Sequence, residues 1–559
     1  MAIYTATTPS GLYQYCNGLF GGPRAVAGDV IVLPSSLSFT TNVPTNLNPN
    51  PGVSIVGNNI GIGFASINNA VFHFVGSGTQ TYYDNPVILS GITFSYLATG
   101  SLTSSIGTQG WIAAKGLRLR LENVSLNGYS VLTNRSAIYA ESASGIATQV
   151  EIINSTIERG GSGVITTNHV GNAGSFGQSS WVKVYDSNIQ SSAQKSAGAT
   201  LANEVILDSQ NGFPIYVYGG QISNGPVSAS KNGNVYILYS SLNLDNLPSG
   251  HNKHTTLQTI YDTYVLYGNN ISISGEIRGN TTDGTSAQRT YNISNGQNIV
   301  RSGVLVKNNY INWILSSGAG GALVENTLNT TSQIGSRLYF LNNEVQQSGG
   351  FAPQSYLIRV YPASGLNIKT DVKFNTVVGN NHPSGALNVV TFGSTNIGNN
   401  NYPYELVLYN NTFFNTRDMV HLNNMNISSP DASNAGMSLL NNISSGLGYI
   451  VNTSGTVPST FGASAMLFDR YGLINSFNNV FTTAKPTNFP GNLDSSDVDN
   501  LFSTNPQLTS TGFSYVPNPT GNLSVGFNNY QYSPDDEILI QDGYKQCSPN
   551  PTGVVFIGS

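Results

Sequence analysis

A short repeat recurs along most of this chain, and no other feature limits the fold as strongly. It reads apolar, any, apolar, any, then a turn pair rich in Asn, Ser or Gly, any, apolar. Copies include LRLENVSL at 119–126, VEIINSTI at 150–157, VKVYDSNI at 182–189, IYVYGGQI at 215–222 and VYILYSSL at 235–242. Further copies are YVLYGNNI at 264–271, VLVKNNYI at 304–311, LYFLNNEV at 338–345, LVLYNNTF at 406–413 and INSFNNVF at 474–481, with weaker ones at 372–378 and 437–444. Alternation at period two predicts a strand with one buried face. The pair after it predicts a corner, because Asn and Gly tolerate the left-handed conformation that a sharp corner needs. Most copies start about 30 to 35 residues apart, which is one supersecondary turn per copy. The chain therefore reads as an all-β solenoid of about a dozen coils, in which one core continues from coil to coil.

The corner residues are the candidate structural sites. They are Asn123 and Asn154 and the pairs Asn308-Asn309, Asn342-Asn343, Asn410-Asn411, Asn441-Asn442 and Asn478-Asn479. Asn amides at equivalent corners can hydrogen-bond up and down a stack, as side-chain ladders do in cross-β assemblies. Residues 1–483 are expected to form the solenoid with its N-terminal capping coil. The Pro-rich and less regular 484–559 are expected to form a C-terminal cap or tail with a last strand.

The pattern resembles the right-handed parallel β-helix of the pectin-lyase-like superfamily. Gly28-Asp29-Val30-Ile31-Val32-Leu33-Pro34, followed by Gly52-Val53-Ser54-Ile55-Val56-Gly57, is similar to that family's opening coil. Asn505-Pro506-Gln507-Leu508 and the closing Gly553-Val554-Val555-Phe556-Ile557-Gly558 are similar to its last coil and terminal strand. The resemblance implies a fold and not an activity, because this fold hosts lyases, hydrolases, phage spikes and inert shells.

Enzymes on this fold place acids on outward strand positions of neighbouring coils. The family's polygalacturonase-like motif set is represented here only by Asp535-Asp536, without its partners. Among the central coils acids are sparse: Glu122, Glu151, Glu158, Asp186 and Asp208. Glu122 and Glu151 fall near equivalent positions of consecutive copies, where a glycosidase pair would stand. Glu276 and Arg278 read as a surface ion pair. Asp494, Asp497 and Asp499 lack EF-hand spacing, and His251 and His254 lack a third ligand. No catalytic residue, metal site or cofactor is assigned. The N-x-Ser/Thr sequons are about as frequent as chance gives. The abundant tyrosines, 30 in all, suit strands as well as sugar or protein interfaces.

Composition narrows the function. Charged residues make up 9% of the chain, against about 25% in an average soluble protein. With 22 Lys plus Arg and a net charge of -5, a nucleic-acid stripe is not expected. No apolar run reaches the roughly 18 residues of a membrane span. The start, Met1-Ala2-Ile3-Tyr4, does not read as an export signal. The two cysteines, Cys16 and Cys547, are expected to stay unpaired. Uncharged polar surface without an export signal fits proteins that assemble inside a cell and work outside it. The composition is also similar to that of turret- and vertex-associated virion proteins of viruses of thermoacidophilic archaea. The expectation is a non-enzymatic virion-surface protein, a spike, turret-associated or decoration protein, in an oligomer or larger assembly. Its partners would be other virion structural proteins, with host-surface glycans or pili as further contacts. The alternatives are a tailspike-like polysaccharide-cleaving hydrolase or lyase, and a cell-surface adhesin or S-layer-like protein. Recognition would sit in the longer insertions, 171–180, 249–256, 279–296 and 382–403.

Overall fold

A computed structural model of the chain describes strands and turns between residues 1 and 517; it leaves out most connections between coils and the stretches 280–301, 455–473, 482–507 and 518–559. The described residues fall into two compact units, the first within Met1–Lys253 and the second within His254–Gln288 and Asn298–Gly543. Each is a right-handed parallel β-helix.

A coil has three strands: a leading strand before the corner, a middle strand after it and a trailing strand. In the first unit, one coil runs Arg118–Glu122, Ser125–Ser130, Ser136–Ala143, and the next runs Gln149–Ile153, Thr156–Arg159, Gly163–Val170. Each strand pairs in parallel with its counterparts one coil away. The register stacks like on like. Ile31, Ile55, Leu89, Leu121, Ile152, Val184, Val217 and Ile237 form one unbroken column, each fully buried. In the second unit the column is Leu266, Val306, Phe340, Val372 and Leu408. Each such side chain contributes about 1.5–3 kcal/mol by leaving water.

The N-terminal end of the first unit is closed by a helix that the strand-type repeat does not announce. Pro9–Asn17 is α-helical, with the Thr8 side chain accepting from the Gly11 amide and Gly18 in the left-handed region at the other end. It buries Leu12, Tyr13 and Cys16. Burial pushes the Cys16 thiol up to about 12, so it is an inert core group. Beside it the opening coil is pinned by Asp29, whose carboxylate accepts from the Ala2 and Val26 amides at 2.6 and 2.9 Å. Cys547 lies outside the described residues.

The corner contains two tracks with different work. The first residue of each pair takes positive φ: Asn123, Asn154 and Asp186, then Gly219 and Tyr239, and in the second unit Gly268, Asn308, Asn342 and Phe374. Its amide bonds a carbonyl of the following coil, as Asn308 does to Leu341 and Asn342 to Lys373. Its side chain lies outward, where Asn154 donates to Asn123 and Asn342 to Asn308. The second residue points inward. In the first unit this inner position is Ser155, Ser187 and Ser240, each hydroxyl accepting an amide from the preceding coil and donating to a carbonyl two residues back.

In the second unit the inner position is Asn269, Asn309, Asn343, Asn375, Asn411 and Asn442, all buried. Each Asn Oδ1 from Asn309 onward accepts both the backbone amide and an Nδ2 hydrogen of the preceding Asn, at 2.8–3.1 Å. The other Nδ2 hydrogen goes to a carbonyl of the preceding coil, Leu266 for Asn309 and Val306 for Asn343. The amide's donors and acceptor are thus all used. Asn410, Asn441, Asn478 and Asn479 lie outside the described residues.

One sequence expectation changes here. The stretch 382–403, read as a loop, contains the trailing strand Leu387–Phe392. Its alternation was masked by the polar residues around it. The expected C-terminal cap lies mostly outside the described residues; within it Leu508–Thr511 pairs antiparallel with Ser514–Pro517.

The two tracks predict unequal costs. Asn343→Ala strands the Asn309 amide and an Nδ2 hydrogen, so urea unfolding should show a loss of at least about 2 kcal/mol. Asn342→Gly keeps the left-handed corner and loses one partly exposed bond, so the loss should stay under about 1 kcal/mol.

Candidate functional site

Two outward faces of the first unit gather the chemistry-bearing residues. The first is on the leading strands. Alternation sends Leu119, Leu121, Val150, Ile152, Val182 and Val184 inward, so their neighbours face out. Register then places Arg120 beside Glu151 and Glu151 beside Lys183, with Tyr216 and Tyr236 following in the same column. Glu122 stands beside Ile153, not beside Glu151. Glu122 and Glu151, read from the sequence as near equivalent positions, thus lie two residues apart in register on the same outer face.

Glu151 is a fully committed carboxylate. Its two oxygens each receive a guanidinium, Arg118 Nη2 at 2.7 Å and Arg120 Nε at 2.7 Å. Arg120 also reaches Glu122 at 3.5 Å. Burial by itself would raise the Glu151 carboxyl, but the hydrogen bonds from Arg118 and Arg120, joined by their charges, hold it below the ordinary carboxylate value. Around this centre lie Trp181, with Lys183 Nζ 4.5 Å and Arg118 5.7 Å from its ring centroid, and stacked tyrosines. The Tyr185 and Tyr218 centroids are 5.2 Å apart, and those of Tyr216 and Tyr236 are 4.6 Å apart.

The second face is on the trailing strands. One column runs His73, Ala113, Tyr139, Thr166, Asp208 and the next Val75, Lys115, Glu141, Asn168, Gln210. Lys115 Nζ meets Glu141 Oε1 at 2.5 Å, and the Glu141 side chain is only 5% exposed. Tyr139 donates to Glu141 at 3.4 Å and accepts from Asn168 at 3.3 Å, while Gln210 donates to Asp208 at 2.6 Å. Burial lowers the basicity of His73, against the pull of Glu141 and with the push of Lys115. Burial, above all, raises the Tyr139 phenol. Glu141 and Asp208 stand two coils apart and two residues apart along the strand, about 12 Å between backbones. Side chains can shorten that toward the roughly 6.5–9.5 Å of an inverting glycosidase pair.

Sequence reasoning singled out Asp208 but missed Glu141, Tyr139, His73 and Lys115. They sit on trailing strands, which follow the corner at variable distance and so carry no fixed-offset motif. Trp181 was missed because it precedes its copy of the repeat by one residue; extending the alternation back one step would have found it. Glu158 accepts from Gln190 at 3.1 Å, and Asp186 occupies a corner. Arg278 lies on a trailing strand, and Glu276 lies outside the described residues, as do His251, His254, the acidic cluster of Asp494, Asp497 and Asp499, and Asp535-Asp536. Among the described residues, no helix is long and apolar enough to cross a membrane.

No protein-family model and no curated protein sequence matches the chain. Among solved structures it is similar to the crystal structure of tailspike protein 3 of bacteriophage CBA120, with a TM-score of 0.29 and 11% sequence identity. The match covers 86% of this chain and 61% of that tailspike, so the chain spans less than two thirds of its length. A superposition this loose says nothing of what the present chain does.

The Glu151 centre makes a pH prediction. Its carboxyl titrates lower in the folded chain than in the unfolded one, so its contribution is complete above the unfolded value, roughly 4.3. It is lost as pH falls through the folded value. Glu151→Gln should lower the thermal midpoint at pH 7 and flatten its decline below about pH 4.3 relative to the parent chain; an unchanged acid limb would refute the assignment.

Proposed function

We propose that this chain is a non-enzymatic structural protein of a virion surface, a spike, turret-associated or capsid-decorating component. In that role it contacts other virion proteins and a host-surface glycan or pilus. The observation that carries the reading is the state of the carboxylates on the two faces. Glu151 is held by two guanidinium groups, Glu122 by one, Glu141 by an ammonium and Asp208 by an amide. Carboxylates engaged in this way by neighbouring cations and amides brace a surface in one geometry. Solenoid coils locked by side-chain ladders supply a scaffold that holds such a surface in one geometry. The sparse charge and abundant uncharged polar residues suit a protein packed among others in a coat.

Peptide mass spectrometry on washed native particles, with surface proteolysis of intact ones, tests the reading. The chain should copurify at fixed stoichiometry and be cleaved from outside; its absence from particles refutes the proposal.

A second reading, a tailspike-like polysaccharide-cleaving enzyme, is favoured by one observation: Glu141, Asp208, Tyr139 and His73 share one outward face. Under the first reading, Glu141→Gln and Asp208→Asn leave reducing-end release from polysaccharide at the buffer level of the parent chain. Activity in the parent that falls by about 100-fold or more in either variant would establish the enzyme instead.

A further inference from the structure

Alternation on the leading strands of the second unit sends Val304, Val306, Leu338 and Phe340 inward, so Leu305, Lys307, Tyr339, Leu341 and Asp371 face out. An outward side chain on a single-layered wall keeps part of its surface. Tyr267, one coil earlier in the same columns, does so, and so do Val407 and Tyr409 one coil later. The five between them do not. Lys307 is 0% exposed and Asp371 1%, and Tyr339, the most open of the five, is 8% exposed. A coil cannot bury its own outward side chains from outside, so another part of the chain crosses this patch. What crosses has to suit apolar groups and a lysine together, because a buried ammonium is tolerated only beside an acid. Asp371 is itself met by Lys373, at 3.1 Å.

The hairpin shows which part of the chain reaches this wall. Its strand Ser514–Pro517 lies against the middle strands Thr376–Val378 and Thr412–Thr416. Thr376–Val378 follows Ile368–Lys373 in the same coil, one corner past Asp371. The chain has therefore left the coil of Ile474–Phe477 and Val480–Phe481 and come back two to three coils along the outer wall. The second unit extends through Gly543, so residues 518–543 remain to it after the hairpin. Fully extended, those 26 residues reach about 85 Å, against the roughly 10 Å spanned by three stacked strands.

The chemistry of that stretch complements the patch. It carries Asp535, Asp536, Glu537 and Asp542, with no Lys and no Arg, and the apolar run Ile538-Leu539-Ile540 follows the first three acids directly. The three covered strands carry Lys307, Arg337, Lys369 and Lys373 against Asp371. Glu344 and Glu405 beside them still leave one positive charge in excess, and the flanking Arg301 and Asp262 cancel.

We infer that residues 518–543 form a strap along the side of the second unit, across the outward face of Ser302–Lys307, Ser336–Leu341 and Ile368–Lys373. The acids Asp535 to Glu537 answer Lys307, and Ile538 to Ile540 cover Leu305, Tyr339 and Leu341. Such a strap braces three coils at once, which a cap over the last coil does not. It also closes to other chains an apolar wall that would otherwise invite association. The inference is independent of the virion role.

Two measurements on the full chain test it. In the first, a photoactivatable diazirine analogue of leucine replaces Leu539, and the peptides joined by light are identified by mass spectrometry. Intramolecular adducts should fall on 302–307, 336–341 or 368–373. In the second, Ile538→Asp, Leu539→Asp and Ile540→Asp together release the strap. Hydroxyl-radical oxidation of Tyr339 and acetylation of Lys307 should then each rise at least about threefold. Oxidation of Trp313, buried in the interior, should stay at the parent level. Adducts confined to other segments or to a second copy of the chain overturn the inference, and so does parent-level oxidation of Tyr339 in the triple variant. Should Trp313 oxidation rise as well, the variant has unfolded and the adducts alone decide.

Discussion

The inner side-chain ladder at the corner is the interaction on which the rest depends. A parallel solenoid has one recurring problem: the sharp turn takes backbone amides out of the sheet ladder and into the interior. Buried polar groups are tolerated only when they are bonded. The second corner residue solves this by turning inward and accepting the stranded amide of the coil before it. Serine does so in the first unit with one hydroxyl. Asparagine does so in the second with a planar amide that also donates twice. The bonding demands that equivalent corners lie directly over one another. Strand register follows, and from the register follow the aliphatic columns inside and the side chains that meet outside.

That register explains how so few charges can matter. On the leading face, Arg118, Arg120 and Glu151 come from two successive coils and lie 31 to 33 residues apart in sequence. Lys115 and Glu141 meet the same way on the trailing face. In a chain this poor in charge, such meetings are not statistical. Each is set by a coil spacing that returns a side chain to the same azimuth on the stack. The aromatic residues obey the same geometry, so tyrosines scattered in sequence become a stacked row at Tyr185, Tyr216, Tyr218 and Tyr236.

The fold was legible because its signal is redundant. Strand, corner and second strand recur with a fixed offset, and any single degenerate copy could be spared. The position of the corner was equally legible; the division of labour within it was not. In Asn308-Asn309 both letters are the same, yet the first sits at positive φ and the second makes the buried ladder. Phe374-Asn375 and Gly268-Asn269 show the rule better than the Asn pairs do, because only their second member is asparagine. Phe374 and Tyr239 occupy the left-handed position despite bulky side chains, which no propensity argument would predict; the ring of Phe374 packs edge-on against Tyr409. The trailing strands were the least legible part. Their distance from the corner varies, so Glu141 and Tyr139 could not be placed over Asn168 and Thr166 until register was known. The N-terminal helix escaped for the opposite reason, being one short segment with no second copy to reveal it.

The inner asparagine ladder also has a direction. Every side-chain oxygen accepts from the coil before it, and every amide nitrogen reaches both forward to the next asparagine and back to a carbonyl already in place. The corner backbone amide and one Nδ2 hydrogen of each inner asparagine therefore wait for the coil that follows in sequence. A ribosome delivers the chain in that same order. During synthesis the growing end carries one coil's worth of unanswered donors at a time, and each new corner answers the last before opening its own. The ladder in the finished stack thus has the same direction as synthesis.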